Sequence, residues 1–79
     1  MKIDTIKTLF KAKAIRNVRI TPAVMKEDKW NLQFEAHQDL WKTEVLTSRR
    51  GKVRDFASIE AAINVLKDIG IKETTIQVF

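Results

Sequence analysis

Residues 43–70 read TEVLTSRRGKVRDFASIEAAINVLKDIG, and the order of signals in that stretch decides the fold. Thr43, Val45 and Thr47 alternate with Lys42, Glu44, Leu46 and Ser48, the two-residue repeat of a strand, here with apolar groups on both faces. Arg49-Arg50-Gly51-Lys52 supplies a glycine for the positive φ of a tight turn, and residues 53–56 are expected to pair back as a short strand. Ile59, Ala62, Ile63, Leu66 and Ile69 then recur at spacings of three and four, which places them on one face of a helix. Ser58 suits its N-cap, and Glu60 in the first turn meets the positive end of the helix dipole. Gly70 suits the left-handed residue that closes a helix, with Ile71 expected against Leu66. An apolar stripe of this length needs a sheet to cover.

The upstream sequence supplies that sheet. In residues 30–37, Trp30, Leu32, Phe34 and Ala36 alternate without exception with Asn31, Gln33, Glu35 and His37, so one face is expected to be buried. Gln38-Asp39 is expected to turn the chain into the strand at residues 40–48, where Trp41 is placed either in the core or on the open face. Residues 15–25 also alternate, with Val18, Ile20 and Val24 on one side, and Pro22 marks an edge or a bulge because it lacks an N–H. Lys26-Glu27-Asp28-Lys29 reads as the turn between these two strands. Asp4 is positioned to cap a first helix over residues 5–14, with Ile6, Leu9 and Phe10 inward. Residues 73–79 read as a last strand, with Thr74, Ile76 and Val78 on one face. Placed beside the first strand it would complete an all-antiparallel sheet. The expected architecture is a single α+β domain over residues 1–79, α-β-β-β-β-α-β, a mainly antiparallel twisted sheet with both helices on one face.

Seventy-nine residues, 44% of them apolar, are enough for one small core. The absence of cysteine excludes a disulfide framework and fits a reducing compartment. With no apolar run near the roughly 20 residues of a membrane span, no membrane partner and a cytoplasmic location are expected. The net charge is +5, unevenly spread. Residues 1–29 hold eight basic and three acidic side chains, residues 42–54 five basic and one acidic, and the segments at 30–41 and 55–79 are each net negative. Basic segments attract polyanions, with nucleic acid the commonest, although such a charge also serves solubility.

Catalytic chemistry is thinly provided for. One histidine and two serines offer little for nucleophilic catalysis, and His37 reads as an ordinary exposed strand residue. No His, Asp or Glu spacing suits a metal, and the two glycines, Gly51 and Gly70, are used in a turn and a helix end. No catalytic residue, metal or cofactor is expected. The sharpest feature is Arg49, Arg50, Lys52 and Arg54, four cations within six residues on one hairpin, which with Lys42 and Arg19 form the candidate nucleic-acid-binding set. Hairpin tips also carry charge simply to stay soluble. A looser basic group comprises Lys2, Lys7, Lys11, Lys13, Arg16 and Arg19.

Arg50, Gly51, Arg54, Phe56, Ser58, Ala61, Ala62, Leu66 and Gly70 match a pattern of apolar strand, R-G-x-x-R-x-F-x-S and an alanine-rich helix ending in L-x-x-x-G. In this the chain resembles small partition-associated proteins of plasmids and other mobile elements, over about a third of its length. A looser likeness runs to the three-stranded arm-binding domains of phage-type integrases, whose sheet reads the major groove; the fourth strand and C-terminal strand expected here depart from that pattern. These resemblances imply a DNA-binding accessory protein that is not an enzyme, with DNA favoured over RNA. A protein-interaction module or homodimer, joined through an edge strand or the open sheet face, is the alternative reading.

Overall fold

The structure is a computed structural model and describes residues 1–77. The last two positions of the expected final strand, Val78 and Phe79, lie outside them. Two helices and four strands follow in the order α1 (Ile3–Lys11), β1 (Ile15–Pro22), β2 (Trp30–Gln38), β3 (Leu40–Val45), α2 (Ile59–Ile69) and β4 (Thr75–Ile76). The strands form one mixed sheet ordered β3-β2-β1-β4, antiparallel except where β4 runs parallel to β1. The class is α+β, as expected, with one strand fewer.

Both helices pack against the same face of the sheet, and the core fills the gap. Leu32, Phe34 and Ala36 of β2 are buried there beside Ile20 of β1, Leu46, Phe56 and Ile71, under Ile6 of α1 and Ala62 and Leu66 of α2. Ile59, Ile63 and Ile69 flank them, half-buried, so the helical stripe does cover the sheet. Period-2 burial along β2 follows directly from its alternating sequence, because successive side chains leave a strand on opposite faces.

Helix α2 ends as its sequence predicts. Ser58 Oγ accepts from the Ala61 N–H at 3.1 Å, and Gly70 takes φ +102°, bringing its own N–H and that of Ile71 onto the Leu66 carbonyl at 3.0 and 2.9 Å. Helix α1 begins earlier than expected, with Lys2 at its N-cap and no side-chain cap bond. Asp4 sits inside the first turn, where its charge meets the helix dipole.

Strand β1 departs from simple alternation. Its pairing with β2 slips by one residue between Arg16 and Arg19, at a bulge in which Asn17 adopts φ +52°. Asparagine tolerates that left-handed conformation better than most residues. The slip keeps Ile15 and Val18, three apart, on the core side, and it sits at Asn17 and not at Pro22. Pro22 ends the strand with its ring nitrogen, which has no hydrogen to donate, on the side away from β2. Ala23 donates to Lys29 across the hairpin, and main-chain groups alternate in direction along a strand. The strand therefore stops short of Val24, which is 83% exposed in the loop and takes no part in the inner face.

Residues 53–56 pair back only through the Thr47–Val53 bridge and the Arg54 N–H on the Leu46 carbonyl at 3.0 Å, and make no separate fourth strand. After β3 the Leu46 N–H bonds the Leu32 carbonyl, the chain leaves the sheet, and it returns so that Trp30 and Phe56 exchange both main-chain hydrogen bonds at 2.9 and 2.8 Å. Phe56 thus occupies the β2 edge that β3 would have reached by continuing, and residues 47–53 are a small hairpin inserted into one strand track. The track leaves in the direction of β3, so a crossover through α2 delivers β4 parallel to β1. One missing strand reverses the direction of the last. No helix among the described residues is long and apolar enough to cross a membrane.

Gly70→Ala should cost about 1–2 kcal/mol, because a Cβ at φ +102° is strained although the nearest neighbour, Phe10 Cε2, would lie at an ordinary 3.5 Å. Urea unfolding measures it; an unchanged midpoint would show that the helix end tolerates a side chain.

Candidate nucleic-acid interface

The inserted hairpin is built tightly. Gly51 donates to the Ser48 carbonyl at 2.9 Å with φ +82°, Ser48 donates to Lys52 at 2.7 Å, and Thr47 bridges Val53. Arg49 and Arg50 are therefore the two central residues of the turn, both exposed, with Lys52 exposed beside them. A Cβ on Gly51 would meet nothing within 4 Å, so glycine serves the backbone angle there and not close packing.

The base is clamped by Asn31, the one buried polar side chain among the described residues. Its Nδ2 donates to the Arg54 carbonyl at 2.9 Å and to Asp55 Oδ1 at 2.8 Å, while Asp55 Oδ2 receives the Lys26 ammonium. These bonds, the Lys26 contact first, hold the Asp55 carboxyl below its ordinary range. They also engage the carboxylate closest in sequence to the hairpin cations. The three ion pairs among the described residues join Lys7 to Asp68, Arg16 to Glu35 and Lys26 to Asp55; none includes Arg49, Arg50, Lys52 or Arg54.

The six candidate residues do not form one surface. Arg49, Arg50 and Lys52 cluster at the tip. Arg54 lies on the returning arm with its guanidinium 5.0 Å from the Phe56 ring centre. Lys42 pairs with Ala36 and so sits on the helix side of the sheet, exposed because the helices do not reach that far, whereas Arg19 pairs with Gln33 on the opposite, open face. An odd or even position along a strand decides which face a charge occupies, and these two fall on opposite sides. Lys52 and Val53 also form a wall of a groove of about 470 Å³ lined by Thr21, Asn31, Gln33 and Val45, which joins the hairpin to the open face.

At the other end of that face is a cluster that composition did not reveal. The Arg16 guanidinium lies 3.9 Å from the centre of the Trp41 ring, and His37 meets the same ring edge-on at 5.1 Å. Glu35 accepts from Arg16 Nε at 2.8 Å and from Asn17 Nδ2 at 3.0 Å, which hold its carboxyl below the ordinary range, the Asn17 bond contributing most. Trp41 is thus on the open face. The pairing of His37 with Trp41 contained the signal, but the Arg16 contact depends on the bulge, which shifts the phase of β1. Arg19 Nε beside them is buried without a hydrogen-bond partner among the described residues.

Comparisons with protein families, with curated proteins and with solved structures found no match to this chain.

Both carboxyls have folded pKa values below their unfolded ones, so on acidification the unfolded chain takes up protons first. Their contribution to stability is complete above the ordinary carboxylate pKa and is lost as pH falls through the folded values. Glu35→Gln with Asp55→Asn should therefore flatten the acid limb of thermal stability; an acid limb as steep as in the parent chain would contradict these two pairings.

Proposed function

We propose that this chain is a non-enzymatic DNA-binding accessory protein, of the kind carried by plasmids and other mobile elements, acting in the cytoplasm. The hairpin of Arg49, Arg50 and Lys52 makes the principal contact. One observation carries this reading: Arg49, Arg50 and Lys52 stand exposed on one tight turn and have no carboxylate partner among the described residues, while the hairpin's own Asp55 is held by Lys26 and Asn31. Cations so placed exchange condensed counterions for phosphate oxygens without first breaking an ion pair. The tip is narrow enough to follow a groove, with Lys52 continuing the contact toward the open face. Lys42 and Arg54, away from the tip, are assigned secondary phosphate contacts, and Arg19 a place on the open face. The resemblance of the segment from Arg50 to Gly70 to partition-associated proteins supports the accessory role.

A second reading, a homodimer or protein-interaction module, is favoured by a separate observation. Strand β3 ends the sheet, and among the described residues no strand covers its outer edge from Leu40 to Glu44.

Replacing Arg49, Arg50 and Lys52 together with alanine should weaken duplex DNA binding at low salt by at least about ten-fold. It should also reduce the slope of log affinity against log salt by about 2–3, with the fold unchanged by circular dichroism. Fluorescence anisotropy at two ionic strengths reads both. Equal affinity and slope in the variant would remove the hairpin from the interface, and tighter binding to duplex RNA would reassign the ligand.

A further inference from the structure

The groove that joins the hairpin to the open face, about 470 Å³ in volume, has a mixed lining. Val24 of the β1–β2 loop, Val45 of β3 and Val53 of the hairpin bring apolar surface to it from three separate elements. Val24 and Val53 are 83% and 49% exposed, so the core does not hold them there. Thr21 and Gln33 add polar groups from β1 and β2. Neither the Thr21 hydroxyl nor the Gln33 amide has a hydrogen-bond partner among the described residues. The one carboxylate in the lining, Asp55, is engaged by Asn31 and by the Lys26 ammonium. Lys52 is the lining cation without an ion-pair partner among the described residues, and Arg49 and Arg50 share its turn.

We infer that this groove takes one unpaired base of a DNA strand whose phosphates the hairpin cations hold. This deepens the DNA-binding reading above and rests on it. A base that has left its stack and its pair presents two apolar faces and an edge of hydrogen-bond donors and acceptors. The valines suit the faces. The Gln33 amide and the Thr21 hydroxyl suit the edge, since together they both donate and accept, and they do so without selecting one base. Lys52 beside them supplies positive charge for the attached phosphate, with no free carboxylate in the lining to oppose it. A base within a duplex fits less well, because its neighbours already cover its faces and its partner its pairing edge. An acidic peptide matches the charge but not the lining. Thr21 pairs with Asn31 and Gln33 with Val45, so the main-chain groups under the groove bond between strands and an extended peptide finds no ladder to join.

Fluorescence anisotropy at one low ionic strength, comparing labelled oligothymidylate with an abasic sugar-phosphate strand of the same length, separates the base from the phosphate. The parent chain should bind the base-bearing strand about ten-fold more tightly than the abasic one. Gln33→Leu, which keeps the volume and removes the amide, should reduce that preference to about three-fold or less, as should Val24→Ser with Val53→Ser. Both variants alter exposed or half-buried positions, should keep the parent's circular dichroism, and should bind the abasic strand as the parent does. Replacing Arg49, Arg50 and Lys52 with alanine should weaken binding of both strands. Equal affinity of the parent for the two strands overturns the inference and leaves the hairpin reading standing, as does binding of duplex DNA with neither single strand bound. Polyglutamate competing as well as oligothymidylate would also overturn it, assigning the groove to an acidic peptide. If neither strand nor duplex binds, the DNA reading and this inference fall together.

Discussion

Two hydrogen bonds between the main chains of Trp30 and Phe56 decide where this chain goes after β3. They return the polypeptide to the edge it has just left, on the same track and in the same direction. The residues between are excluded from the sheet and project as a hairpin. The returning track brings Phe56 into the core and presents Ser58 to start α2, and the crossover through that helix then fixes β4 parallel to β1. The cationic tip, the placement of the helix and the sense of the last strand share this one origin.

The clamp works because its polar groups are satisfied. Asn31 lies on a strand face that is otherwise open, yet it is buried, because the returning arm covers it. An amide removed from water costs free energy unless its hydrogens find acceptors, and here the Arg54 carbonyl and the Asp55 carboxylate supply them. Asp55 in turn gains from Lys26 on the neighbouring β1–β2 loop. Two loops distant in sequence are thereby tied at one end of the sheet without a disulfide, and the hairpin stands on a fixed base.

The open face divides into two regions of different electrostatic character. Around Trp41 the charges are internally matched: Arg16 is shared between the indole and Glu35, and His37 closes the ring edge. An arginine already held this way has spent part of its capacity to bind a phosphate, so the cluster contributes shape and rigidity more than net charge. The hairpin cations Arg49, Arg50 and Lys52 have no ion-pair partner among the described residues.

Most of what depends on neighbours within about four residues was readable in the sequence, the start of α1 at Ile3 and not after Asp4 being the exception. The strict alternation of β2, the stripe of α2, its serine cap, its closing Gly70 and the glycine turn at Gly51 are all local, since backbone angles and side-chain periodicity set them directly. The helix-covered sheet followed, because an apolar stripe and an apolar strand face have only each other to bury against. The bulge at Asn17 and the return of Phe56 to the β2 edge were not readable. Each is a competition between pairing partners far apart in the chain, and Phe56 had no local reason to prefer the end of β2 over the continuation of β3. From those two long-range choices came what the residue list left open: the parallel β4, the stacking of Arg16 on Trp41, and the separation of Lys42 from Arg19 onto opposite faces. Local sequence set the elements and their caps; which edge each segment found, and hence which charges stand together, was decided only when distant strands competed for the same hydrogen bonds.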